Sequence, residues 1–172
     1  MVWKLVLQAL WFIAPAYAAN GVPPVLKGRM PLDFGKSLGK YRFLGDGKTF
    51  EGTIGGILAG IAVGSIQIFY QTRLPQDLGL VELNFPIVAA LSIGAIFGDI
   101  VAAFIKRRLG MERGQPAFLL DQLDFVVGSV VAASLFYRPP TELLITLLVM
   151  TPPLHWLTNF LAYKIKIKKT PW

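Results

Sequence analysis

The sequence predicts an all-α integral membrane protein with five transmembrane helices, the N-terminus outside and the C-terminus in the cytoplasm. Three observations carry this. The 172 residues are 54% hydrophobic with a mean hydropathy of +0.56, too apolar for an ordinary soluble domain. Five stretches reach the roughly 20 apolar residues that a helix needs to cross a bilayer. Of the 17 Lys and Arg residues, all but Lys4, Arg73 and Arg138 fall on one side of these stretches, and that side faces the cytoplasm.

Each span is bounded by the charges that flank it. Residues 5–26 lie uncharged between Lys4 and Lys27, and residues 52–72 between Glu51 and Arg73. The third span, 83–105, is broken only by Asp99. The fourth, 118–137, carries Asp121 and Asp124 near its start, and the fifth, 143–163, is uncharged between Glu142 and Lys164. Together they make one membrane domain over residues 1–172, with cytoplasmic loops at 27–51 and 106–117. The first of these loops holds Lys27, Arg29, Lys36, Lys40, Arg42 and Lys48, the second Lys106, Arg107, Arg108 and Arg113, and the tail Lys164, Lys166, Lys168 and Lys169. The start "MVWKLVLQALWFIAPAYAAN" also resembles a signal peptide, with Ala-Tyr-Ala before a possible cut. Cleavage would put the basic 27–51 loop outside, so the charge bias favours a retained first helix. Cysteine is absent, which excludes disulfides and thiolate metal sites.

Ionisable groups at membrane depth are costly and point to function. Asp99 lies near the cytoplasmic end of span three, and Asp121 and Asp124 near the cytoplasmic start of span four. Asp121 and Asp124 are three apart and project from one side of a helix. Asp99 and Lys106 are about two turns apart and share a face. Three carboxylates in a half-dry site need compensation. Oxygen donors with no His or Cys nearby favour Mg²⁺, or Mn²⁺, over Zn²⁺. Such an ion keeps positions open for phosphates, and the adjacent Lys106 and Arg107 suit a phosphorylated substrate. The plain structural alternative is that Asp99 and Asp121 simply pair with Lys106 or Arg107 at the interface.

The first cytoplasmic loop, "GRMPLDFGKSLGKYRFLGDGKTFEGTIGG", is Gly-rich, basic, and runs straight into span two. Gly35-Lys36-Ser37 and Gly47-Lys48-Thr49 invite a P-loop reading. It fails, because Met30 and Arg42 stand where the first glycine of that motif belongs and no strand precedes either. What survives is close backbone approach at glycine, charge at lysine, and helix N–H groups from Gly52 onward that can face a phosphate. The bland alternative is a basic loop skimming anionic lipid.

Two stretches together resemble a known family. "GDIVAAFIKRRLGMERGQPAFLLDQLD" is similar to the C-terminal signature of the phosphatidate cytidylyltransferase superfamily. "MPLDFGKSLGKYRFLGDGKTFEG" and the upstream "PAYAANGVPPV" resemble its short archaeal branch. The resemblance implies a membrane cytidylyltransferase of phospholipid biosynthesis. CTP and an unsaturated isoprenoid ether-lipid phosphate would give a CDP-lipid and pyrophosphate, with Mg²⁺. It also implies that Asp99, Asp121 and Asp124 hold metal and act in catalysis with Lys106. Lys36, Asp46, Lys48, Thr49 and Arg107 would bind CTP or its phosphates. The expected partners are CTP, the lipid phosphate and membrane lipid, with no nucleic acid; the expected location is the cell membrane, multi-pass, with the site on the cytoplasmic side.

Two rivals differ in pattern. A CDP-alcohol phosphotransferase would carry Asp-Gly, Ala-Arg and Asp-x-x-x-Asp, whereas here Asp46-Gly47 is followed by Lys48-Thr49-Phe50 and the acidic pair is spaced by two. A membrane carrier or assembly subunit could use the aspartates for cation passage without chemistry. His155, the only histidine, follows Pro152-Pro153 in span five. It reads as a packed or hydrogen-bonded core residue beside a proline kink.

Overall fold

The structure, a computed structural model, describes residues 2–167. Lys168 and Lys169 of the basic tail lie outside them. The described chain is helical apart from one small hairpin: α1 (Val2–Gly21), the single turn α2 (Pro23–Leu26), β1 (Ser37–Leu38), β2 (Tyr41–Arg42), α3 (Phe50–Tyr70), α4 (Phe85–Arg108), α5 (Leu120–Ala133) and α6 (Thr141–Lys164). Thr49 caps α3 by accepting the Gly52 N–H at 3.1 Å, and Asn84 caps α4 by accepting the Ile87 N–H at 3.0 Å. α6 runs unbroken through Pro152 and Pro153.

Among the described residues, four helices are long and apolar enough to cross a membrane: α1 with α2, α3 with the turn after it, α4 and α6. The expected fourth span differs. α5 has 14 residues, about 21 Å of helix against a hydrocarbon core of about 30 Å. Its expected ends leave the helix, with Phe118 in a turn and 83% exposed, and Ser134 to Phe136 closing as a turn.

The helices alternate in direction, as their contacts show. Lys4, Gln8 and Trp11 of α1 donate to the carbonyls of Asp77, Leu78 and Val81, in the loop between α3 and α4. At the other end Ala19 lies against Gly56 near the start of α3. α5 runs back along α4, pairing Asp121 with Lys106 low down and setting Gly128 beside Gly94 higher up. α6 starts near the end of α5, bonds Tyr17 through Thr151, and brings His155 beside Phe125. The C-terminal ends of α1, α4 and α6 thus share one end of the bundle with the starts of α3 and α5.

On α3 the packing is inverted relative to a helix of a soluble protein. The buried stripe of α3 is Gly52, Gly56, Gly60 and Gly64, while Ile54, Leu58 and Phe69 face outward. Added Cβ atoms at Gly56 and Gly60 would strike the backbone carbonyls of Ala19 and Pro15 on α1. Small residues every fourth position let two backbones meet, which is how helices associate where lipid removes the hydrophobic drive. α1 touches α3, α4, α5 and α6. Its Phe12, Ile13, Ala16 and Ala19 are wholly buried, so α1 is the axis of the bundle.

Candidate functional site

The site is built at the shared end of the bundle, and the 27–49 loop is folded onto it. Pro31 pairs with Thr49 as a lone antiparallel bridge, and Ser37–Leu38 pairs with Tyr41–Arg42. The loop closes around Asp33, whose side chain has no exposure. Its carboxylate accepts from Gly35 N–H at 3.1 Å, Leu44 N–H at 3.0 Å, Gly45 N–H at 2.9 Å and the Arg42 guanidinium at 2.6 and 3.3 Å. That guanidinium, with the backbone donors, holds the Asp33 carboxyl well below the usual carboxylate range.

Between this loop, the last turns of α4 and the first turn of α5 lies a cavity of about 140 Å³. Carboxylates and cations share its wall: Asp99, Asp121 and Asp124 with Lys48, Lys106, Arg107 and Arg113. Gly45 and Gly47 supply bare backbone. Gly45 sits at φ 88°, a left-handed conformation that favours glycine. A Cβ there would come within 3.9 Å of Arg107 Nε, and one at Gly47 within 3.8 Å of Arg113 Nε.

The carboxylates are already partnered in part. Lys48 Nζ donates to both Asp99 oxygens at 2.6 and 2.7 Å. Lys106 Nζ donates to Asp121 at 2.8 and 3.0 Å, and Asp121 also accepts the Ala117 N–H at 2.9 Å. Asp124 accepts the Phe125 N–H at 2.6 Å. Asp99 and Lys106 share a face of α4, both lining the cavity, but each pairs with another element: Lys106 with Asp121, as the plain structural alternative held, and Asp99 with Lys48 of the loop. Among the described residues no three such side chains converge closely enough to hold an ion as a set. The donor chemistry still fits a hard divalent cation: three oxygen donors from two helices on one cavity wall, with no His or Cys among its lining residues.

α4 and α5 come together at this level because glycine lets them. A Cβ on Gly98 would strike the Asp124 carbonyl, and one on Gly128 the Gly94 carbonyl. This seam sets Asp99 and Asp124 on one cavity.

Six of the expected site residues line the cavity: Lys48, Asp99, Lys106, Arg107, Asp121 and Asp124. Three do not. Lys36 is exposed on the hairpin, Asp46 pairs with Arg42 at 2.8 Å, and Thr49 is buried as the α3 cap. Gly47 bears out the close backbone approach read from Gly47-Lys48-Thr49, whereas Gly45, Arg113 and Asp33 were not singled out by pattern. Asp33 had a local signal, an Asp two residues before a Gly, the spacing of a side-chain-capped turn. His155 stacks loosely on Phe125 at 6.2 Å and lies 3.2 Å from the Asn159 amide, which agrees with a core role.

Four helices long and apolar enough to cross a bilayer, glycine seams between them, large apolar residues on the outer surface and a charged cavity at one end define a multi-pass membrane protein with a polar site. The model of the CarS-like CDP-archaeol synthase family matches residues 2–172, and the chain belongs to this family. Its members are membrane cytidylyltransferases of archaeal lipid synthesis. The CDP-archaeol synthase of Pyrococcus abyssi is 44% identical over 97% of this chain and 98% of its own. That of Methanocaldococcus jannaschii is 42% identical over the whole of both. A solved structure described as an intramembrane enzyme for archaeal membrane lipid biosynthesis superposes with a TM-score of 0.78 at 37% identity, covering 90% of this chain and 94% of that one.

Proposed function

We propose that the cavity is where a CTP:lipid-phosphate cytidylyl transfer takes place, on the cytoplasmic face of five spans with the N-terminus outside. One observation carries the reading. Four cations and three carboxylates from four separate segments line a single cavity at the basic end of the bundle, an arrangement suited to a triphosphate and its counter-ions.

The substrates are CTP and an unsaturated isoprenoid ether-lipid phosphate. A lipid phosphate oxygen bonds to the α-phosphorus of CTP as the bridging oxygen to the β-phosphorus leaves with pyrophosphate. The nucleophile is already anionic, so no general base is required. Lys48, Lys106, Arg107 and Arg113 bind the phosphates and hold them in line, which is most of what phosphoryl chemistry asks of a protein. Lys48 and Lys106 exchange their aspartate partners for phosphate oxygens as the nucleotide enters. Asp99 and Asp121, so released, and Asp124 beside them would hold Mg²⁺, or Mn²⁺ in its place. An ion bound there would supply polarisation of the α-phosphoryl group and offset the charge of the leaving pyrophosphate. Asp46 and Thr49 serve the loop and helix that carry Lys48, and Lys36 stands at the rim.

The test is CDP-lipid formation by purified protein with CTP, lipid phosphate and Mg²⁺. Asp99→Asn, Asp121→Asn and Asp124→Asn should each lose at least about a hundredfold in turnover while staying folded, because an amide oxygen is a poorer ligand for a hard cation. Retained activity in Asp124→Asn with a lowered melting temperature would reject the metal assignment. No CDP-lipid from the wild-type protein would reject the reaction in favour of a carrier.

A further inference from the structure

We propose that Asp33 and Arg108 are positioning residues of the transfer, clamping the hairpin from two sides so that Gly45, Gly47 and Lys48 meet the nucleotide. The inference rests on the cavity being the CTP site.

Asp33 does not line the cavity, and its oxygens are taken up by the loop's own donors. It is nevertheless a wholly buried carboxylate with five donors, a heavy investment for a surface loop. Two of those donors are the N–H groups of Leu44 and Gly45, and these two residues form cavity wall. Three residues further on, Lys48 reaches Asp99. The carboxylate fixes where the wall begins, and the chain has little freedom left before Lys48.

Arg108 acts from outside. It is the last residue of α4, next to Arg107 and two after Lys106, but it points away from the cavity those two line. Its guanidinium donates to the carbonyls of Leu38 at 2.8 Å, Tyr41 at 3.3 Å and Arg42 at 2.7 Å, and lies over the Phe104 ring at 5.2 Å. Arg42 is shared: its backbone is held by Arg108 and its side chain by Asp33. The end of α4, which presents Lys106 to Asp121, is thereby tied to the loop that presents Lys48 to Asp99. Either residue alone could be read as a folding contact. Their convergence on Arg42 ties the two lysine-bearing elements together.

Kinetics separate positioning from mere folding. In Asp33→Asn the KM for CTP should rise about tenfold or more, with the KM for lipid phosphate within about twofold, the scale of one lost charge-assisted contact. Arg108→Gln should show the same selective rise, and Arg108→Lys should recover part of it. Calorimetric CTP binding should weaken in step, read on protein that elutes as a folded species. A purely structural role instead lowers kcat with the folded fraction and leaves both KM values unchanged. That outcome in Arg108→Gln overturns the proposal even where Asp33→Asn does not fold. Wild-type protein that turns over normally beside unaffected variants removes only this inference. Wild-type protein that makes no CDP-lipid removes the reading beneath it.

Discussion

Gly98 is where the packing of the bundle and the chemistry of the site meet, and Gly98→Ala tests both. In an isolated helix this change stabilises by about 1 kcal/mol, because alanine is the better helix former. Packing opposes it. The new Cβ would overlap the Asp124 carbonyl oxygen and lie 2.9 Å from its carbon and 3.2 Å from Gly128 Cα. Carbon atoms rest at about 3.5–4.0 Å, so α5 must retreat by roughly 0.5–1 Å. The obstacle is backbone, which cannot rotate away, so the cost sits near the upper end of the roughly 1–3 kcal/mol seen for overpacking. A net loss of about 2 kcal/mol follows once the propensity gain is subtracted. The retreat carries Asp124 away from Asp99, and a misplacement of about 1 Å at a reacting centre can cost about a hundredfold. We expect Gly98→Ala to lower turnover of labelled CTP by about tenfold to a hundredfold and to melt earlier in detergent. Gly21→Ala, where nothing lies within 4 Å of the added carbon, is the control and should be near neutral in both assays. Wild-type turnover and melting in Gly98→Ala would refute the close-contact account of the site.

Lys48→Ala should raise the KM for CTP or lower kcat by about tenfold or more, the effect of removing a charge-assisted phosphate contact of about 1.5–3 kcal/mol, and unaltered kinetics would remove Lys48 from the site. Asp33 has a depressed pKa when folded; its contribution is therefore present at neutral pH and is lost as pH falls through and below the ordinary aspartate value of 3.8. The difference in melting temperature between wild type and Asp33→Asn should be constant from pH 5 to 7 and shrink below about pH 4, and a constant difference throughout would contradict the assignment. Single cysteines at Lys40 and Arg113 should react with impermeant reagents from the cytoplasmic side only. Labelling of Lys40→Cys from outside would overturn the orientation; a third probe, at Thr170, lies outside the described residues.

What could be read from the sequence follows physical range. Helices α3, α4 and α6 announce themselves through apolar length and flanking charge, both local properties. The gathering of Asp99, Asp121 and Asp124 at one end follows from helix direction alone, since the first ends a span and the others begin one. Asp121 with Lys106 was among the pairings the sequence offered, but the partner of Asp99 was not. Lys48 and Asp99 are 51 residues apart, and no periodicity links a loop lysine to a helix carboxylate. The motif around Thr49 and Asp46 suggested phosphate; what it did not reveal is that Thr49 caps α3 and Asp46 pairs with Arg42. The apolar stretch 118–137 outruns α5 because Phe118, Leu119, Leu135 and Phe136 are as apolar as a span, though they lie in its flanking turns. Asp33 and Arg108 went unseen because a loop has no period, and their partners are mostly backbone groups, which carry no sequence identity.

The central place of α1 has a consequence for how the protein is made. Its neighbours α3, α4, α5 and α6 are all synthesised after it. The hydroxyl of Tyr17 waits for Thr151, 134 residues later. Helices enter the bilayer singly before they associate, so α1 is fully surrounded only after α6 has followed it. A ribosome halted before α6 would leave α1 threaded but unlatched, with Tyr17 turned to lipid and its polar group unsatisfied. The polar contact that latches α1 to the finished bundle is thus among the last that synthesis can supply.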